Sequence, residues 1–178
     1  MIFLNPKITL ATAADLREIT ALLNGAYRGE SSKKGWTTEA HLIGGNVRTN
    51  EVELGKVIKQ AGSIVLKYTH TNYDIVGCVN LQQHHNKIYL GMLSVSPQLQ
   101  GAGIGKQLLI AAEKYAQHQK CTAIYMTVIT ARTELINWYN RNGYKDTGER
   151  KPFIEDNLTG NHLQFLEFMV LEKLIGVT

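Results

Sequence analysis

The residue types and spacings that could carry chemistry are concentrated in one segment, Tyr89 to Leu109, YLGMLSVSPQLQGAGIGKQLL. An extended apolar run gives way to a loop with Gly101, Gly103 and Gly105, and the loop opens a helix. Glycine lets the backbone come close to a ligand and reach conformations that a Cβ forbids. Amide N–H groups left free at a helix start, with the positive end of its dipole, suit a phosphate or pyrophosphate. Two phosphate templates fail here. A P-loop needs G-x-x-x-x-G-K-[ST], but position 100 is Gln and Gly105-Lys106 is followed by Gln107. A dinucleotide loop needs G-x-G-x-x-G, and its third glycine would fall on Lys106. The glycines alone also fit a tight strand-to-helix turn that uses them for packing.

The elements that must hold this loop follow from pattern. A short strand at 7–10 precedes a helix whose first turn carries Thr12 and Asp15 in capping-box spacing, with Leu16, Ile19, Leu22 and Leu23 on one face. Gly25 and Gly29 are expected to end it. A polar, Gly-rich stretch follows over 28–50, with one short helical piece expected at 38–43. Asn50 and Glu53 then announce a helix to about position 60. Three extended segments at 63–68, 75–82 and 88–95 are joined by turn residues Asn72, Asp74 and His85-Asn86. Connections that short imply antiparallel pairing. The Gly-rich loop, a helix over 103–118 and a strand over 123–128 make one parallel crossover. A helix over 133–142 stopping at Gly143, and strands near 144–150 and 164–172, complete the chain.

Composition bounds the rest. The chain has 178 residues, 44% hydrophobic and 19% charged, which is enough for a real core and too few charges for disorder. We expect one domain over 1–178. The net charge is +4, yet no run of five like charges appears, so no nucleic-acid footprint is expected. Cys78 and Cys121 read as free thiols, and no His/acid pair has ligand spacing on one helix face, so no metal is expected. The first ten residues lack the marks of a leader, and no apolar run is long enough for a bilayer. A cytoplasmic protein without a membrane partner is the expectation; a homodimer is left open.

The spacing that does match is Gln100-x-x-Gly103-x-Gly105, preceded by Leu93, Val95 and Pro97 as L-x-V-x-P. It resembles the acetyl-coenzyme A loop of the GNAT superfamily of N-acetyltransferases. Downstream, Trp138-Tyr139-x-x-x-Gly143-Tyr144 is similar to that family's Y-x-x-x-G-[FY] motif, and the resemblance covers about 64–144. It implies a mixed α/β, GNAT-like acyl-CoA N-acyltransferase fold, with a mostly antiparallel sheet of six or seven strands flanked by helices. It also implies transfer of an acetyl group from acetyl-CoA to a primary amine of a small molecule or peptide, by direct attack in a ternary complex. Backbone groups of Leu93, Ser94 and Val95 would pair with the pantetheine arm in the gap between two splayed strands. Gln100, Gly101, Ala102, Gly103, Ile104, Gly105 and Lys106 would hold the pyrophosphate through backbone N–H groups. The backbone N–H near Leu93 would stabilise the oxyanion, and Tyr139 would protonate the leaving thiolate; a packed core aromatic is the other reading of that tyrosine.

The chain departs from the family twice. Arg132 stands where many members carry an Asn that contacts the pantetheine; it either reaches a cofactor phosphate or is solvated. Thr127 stands where some relatives place a Glu base. Glu30, Glu39, Glu134 and Glu167 are the other acids that could act through a water, each more readily explained as solvated or structural. His84-His85 reads as a surface turn and His118 as a helix-end charge. For the acceptor wall the resemblance nominates Tyr27, Arg28, Glu30, Trp36, Tyr89 and Phe153, with acid and aromatics for a cationic amine or Arg28 for a carboxylate. A non-catalytic acyl-CoA sensor or interaction module is the alternative function, and the missing Glu at Thr127 is what favours it.

Overall fold

The structure is a computed structural model. It describes residues 3–72 and 74–176; Met1 and Ile2, the start of the stretch read above as no leader, lie outside the described residues. Seven strands form one sheet in the order β1-β2-β3-β4-β5-β7-β6. The strands are β1 (Ile8–Leu10), β2 (Ser63–Thr69), β3 (Ile75–His84), β4 (Lys87–Val95), β5 (Ala123–Ile129), β6 (Lys145–Pro152) and β7 (Glu167–Leu174). All neighbours pair antiparallel except β4 and β5. That parallel pair is joined through α4 (Ile104–His118). The mixed α/β fold expected above is the one found.

The helices lie on two faces because their apolar stripes need separate cores. On one face α1 (Leu16–Tyr27) and α3 (Glu51–Lys59) bury Ile19, Leu23 and Leu54 against Val65, Ile75 and Cys78. On the other, α4 buries Leu108, Leu109 and Ala112 against Leu66, Val79, Leu81 and Ile124. Asp15 accepts from the Thr12 backbone N–H at 2.7 Å, and Asn50 Oδ1 from Glu53 N–H at 2.9 Å, so both expected caps form. The 28–50 stretch departs from expectation. A short α2 (Gly29–Ser32) follows α1 directly, and 38–43 is a turn whose Ile43 bridges His162. Gly25 sits inside α1, not at its end.

Two local features open the sheet where the Gly-rich loop begins. Strands β4 and β5 pair only at Lys87–Tyr89 with Ala123–Tyr125. On the other side, β3 pairs Cys78 with Ser94 and Asn80 with Gly91, leaving Met92 and Leu93 without ladder partners. Met92 takes φ 53°, and this bulge twists β4 away from β5. Residues beyond Tyr89 therefore border a gap.

A candidate active site at the splayed strands

Two cavities meet in that gap. The larger, about 590 Å³, is bordered by Leu93, Val95, the loop from Leu99 to Lys106, and one face of α5 (Thr133–Arg141). The smaller, about 140 Å³, lies between Tyr89–Leu93 and Met126–Ile129, with Glu39 and Arg48 beside it. Tyr27, Leu93, Arg132, Leu135 and Tyr139 border both.

The loop is built as an open cradle. Gly101 and Gly103 have φ of 88° and 80°, and a Cβ on either would meet no protein atom within 4 Å. Such conformations cost an L-residue roughly 1–2 kcal/mol. The first helix-start amide taken by backbone is Gln107 N–H, which donates to Gly103 C=O at 3.1 Å. Those of Ile104, Gly105 and Lys106 precede the first full turn and have no intrahelical acceptor. Lys106 and Arg141 add positive charge at this cavity's border, with Glu134 the only acid there among the described residues. Arg141 carried no signal in the sequence beyond its place near Tyr139. Gly105 differs from the other two: a Cβ there would make ordinary contact with Trp138 at 3.5 Å.

Gln100 works through its side chain. Its Oε1 accepts from Trp36 N–H at 2.8 Å, and its Nε2 donates to Thr37 Oγ1 at 2.7 Å and to Val95 C=O at 3.2 Å. The amide thus ties the segment after α2 to the end of β4. Trp36, nominated for the acceptor, instead borders the larger cavity, 6.3 Å from the Trp138 ring.

The C-terminus of α5 explains the Tyr-x-x-x-Gly-Tyr spacing. Tyr144 N–H donates to Tyr139 C=O and Gly143 N–H to Asn140 C=O, both at 3.1 Å, the paired bonds of a Schellman cap. Gly143 supplies the left-handed residue, φ 92°. The Tyr139 and Tyr144 rings meet edge-on at 5.8 Å, the apolar contact such a cap carries. The motif therefore fixes Tyr139 in place through its own helix end. Burial pushes the Tyr139 phenol well above its ordinary value, and the neighbouring tyrosines add to this while Arg132 opposes it. It is neutral throughout the physiological range. Its hydroxyl has no protein hydrogen-bond partner among the described residues. Tyr27, also at both cavities, donates its hydroxyl to Leu93 C=O.

A buried ionic cluster backs the smaller cavity. Glu39 is 5% exposed; one carboxylate oxygen takes Arg28 and the other takes Arg132 Nη1 at 2.8 Å. Arg132 Nη2 also donates to Thr37 C=O at 2.6 Å. Arg132 is thus 9% exposed and paired to protein, not solvated. Arg28 is likewise paired and lies behind Glu39. Burial alone would raise the Glu39 carboxyl, but Arg48, Arg132 and Arg28 outweigh it and hold it below the ordinary 4.5. A carboxylate so held is a poor base. Because its folded value is depressed, its contribution is present above about pH 4.5 and is lost as pH falls through the folded value. We expect Glu39→Gln to cost about 3–5 kcal/mol at pH 7 by leaving buried guanidiniums unpaired. Urea denaturation of both proteins should show the gap narrowing in acid.

The remaining nominated residues divide. Tyr89 borders the smaller cavity and its hydroxyl pairs with Thr127 Oγ1 at 3.1 Å. Glu30 is exposed, pairs with Lys33 and borders neither cavity. Phe153 stacks on Phe168 at 4.3 Å and also borders neither. Glu134 is exposed at the larger cavity, and Glu167 borders neither. Ser94 is 3% exposed and borders neither, whereas its neighbours Leu93 and Val95 border the larger. Burial pushes the Cys78 thiol up to about 12, so it is inert. Among the described residues no group of three or more His, Cys, Asp or Glu could hold a metal, and no helix is long and apolar enough to cross a membrane.

The gap thus lies between splayed parallel strands, opened by a bulge and closed at one end by a glycine cradle. Residues 20–144 match the Acetyltransferase (GNAT) family, and the chain belongs to that family. The ribosomal-protein-S18-alanine N-acetyltransferase of Escherichia coli has a similar structure, TM-score 0.70 at 12% identity, covering 96% of this chain and 94% of that one. The spermidine/spermine N-acetyltransferase SpeG of Vibrio cholerae is similar at TM-score 0.66 and 17% identity, covering 96% and 95%. A GNAT-family acetyltransferase of Staphylococcus aureus Mu50 is similar at 0.67 and 16%, covering 95% and 98%. No curated protein matches the chain in sequence.

Proposed function

We propose that the chain is a single N-acetyltransferase domain that moves the acetyl group of acetyl-CoA to a primary amine of a small molecule or peptide. One observation carries this reading: two cavities of unequal size share Leu93 and Tyr139 at the point where they meet. A cofactor arm and an amine entering from opposite sides would find each other there. The similar structures are named for acceptors as different as an alanine of a ribosomal protein and a polyamine, so fold alone does not name the acceptor.

Acetyl-CoA would supply an activated thioester; the glycine cradle and the amides of Ile104 to Lys106 fit its pyrophosphate, and Leu93 and Val95 border its arm. The amine attacks the carbonyl carbon, the C–N bond forms and the C–S bond breaks. The attacking nitrogen gives up its proton to water, the sulfur takes one from the Tyr139 phenol, and the phenolate is reprotonated from water. Leu93, outside both strand ladders, offers its amide to the oxygen that gains charge. Burial disfavours a departing thiolate just as it disfavours the phenolate, so it does not by itself set the phenol against the transfer.

No acid free to act as base reaches the smaller cavity among the described residues. Its cationic surroundings do part of a base's work, since nearby guanidiniums disfavour an ammonium ion. We expect kcat to rise at a pH below the free amine's pKa, because the guanidiniums act on the bound amine, and then to stay level to about pH 10, because Tyr139 remains protonated. A pH–rate profile that falls well before that would assign the acid to another group. The defining experiment is release of coenzyme A thiol from acetyl-CoA across a panel of amines and peptides. Tight cofactor binding with no turnover throughout would instead support an acyl-CoA sensor, the reading that the missing base favours.

A further inference from the structure

Arg48 is the one guanidinium at the smaller cavity that makes no direct ion pair among the described residues. Both oxygens of Glu39 are taken by Arg28 and Arg132, and Arg48 forms no ion pair or side-chain hydrogen bond among the described residues. It is nonetheless held in place. Its backbone N–H donates to Asn24 Oδ1 at 2.7 Å, Thr49 N–H donates to the same oxygen at 3.0 Å, and Asn24 Nδ2 donates to Thr49 C=O at 3.1 Å. The guanidinium carbon lies 4.2 Å from the centroid of the Tyr27 ring. A guanidinium held against an aromatic ring keeps its N–H groups for another partner.

The charge balance points the same way. Three guanidiniums surround the one carboxylate, and Glu39 is the only acid bordering the cavity among the described residues. A polyamine would meet net repulsion here. A carboxylate would complete the cluster and accept two parallel bonds from Arg48. At about 140 Å³ the cavity is below the usual 300–1,000 Å³ of drug-sized sites, a volume suited to an amino-acid-sized head group.

We propose that the acceptor is a primary amine that also carries a carboxylate, and that Arg48 anchors that carboxylate. This rests on the acetyl-transfer reading for its reaction but not for its binding. The test compares proteinogenic amino acids with their carboxamides and with spermidine, by thiol release and by calorimetric titration with and without coenzyme A. The carboxylates should be preferred, and Arg48→Gln should lower kcat/KM for them about 10- to 100-fold more than it does for the carboxamides. Arg48→Lys should restore part of the preference, because it keeps charge and loses the fork. Should no amine turn over while carboxylates bind in an Arg48-dependent way, the transfer reading falls and the anchor stands. Equal use of carboxamides or spermidine, equal losses for both classes in Arg48→Gln, or no binding of carboxylates to the unaltered protein would each overturn it.

Discussion

Gly103→Val is expected to abolish measurable acetyl-CoA binding while the protein stays folded. Gly103 has φ 80° and open space where a Cβ would stand, so the valine side chain enters the cradle without striking protein. The fold loses only the strain of a left-handed L-residue, roughly 1–2 kcal/mol and somewhat more for a β-branched one. That corresponds to a fall in Tm of about 2–8 °C for a chain of this size. The ligand site loses more. A branched side chain placed before the amides of Ile104 to Lys106 keeps a pyrophosphate from reaching them. We expect affinity by calorimetry to fall by at least about 100-fold, the scale of losing two charge-assisted bonds. Gly105→Val is the control on packing, because its Cβ would meet Trp138 and Val95. Unchanged affinity in Gly103→Val would remove the cradle from the binding site.

The contrast between these glycines shows what could be read in the sequence. Strand, loop and helix were legible because their signals are local: alternating apolar residues up to Val95, three glycines, then a 3.6-residue period. Helix α5 was legible for the same reason, since Gly143 and Tyr144 form its cap. The stretch from Arg28 to Asn50 was not. Its expected helix at 38–43 is a turn, because Glu39 is drawn into a cluster with Arg28 and with Arg132, 93 positions away. No local period encodes a contact at that distance. Arg48 was missed for the same reason: it lies in a polar stretch, and only the fold brings it beside Tyr27 and Glu39. That Trp36 borders the larger cavity was not legible either, because the Gln100 side chain, which pins its backbone, acts from across the loop.

Tyr139→Phe should separate chemistry from binding. The ring is packed edge-on against Trp138 at 5.0 Å and Tyr144 at 5.8 Å, and phenylalanine keeps both contacts. The hydroxyl makes no protein hydrogen bond among the described residues, so the fold has little to lose with it. Thermal stability should therefore hold or rise slightly, which a structural role for the hydroxyl would not allow. If the phenol gives its proton to the departing sulfur, kcat should fall about 10²–10⁴-fold, the usual worth of general acid catalysis. KM for acetyl-CoA should stay close to its original value, because the cradle at Gly101 to Lys106 is untouched. Steady-state rates with a sluggish amine, for which chemistry is slowest, give the cleanest reading. A leaving group that needs no proton provides the decisive comparison: with an acetyl ester of an acidic thiol, the Phe variant should recover most of its rate. Near-full turnover of acetyl-CoA by the variant would make Tyr139 a packing residue of the Schellman cap and leave proton donation to water.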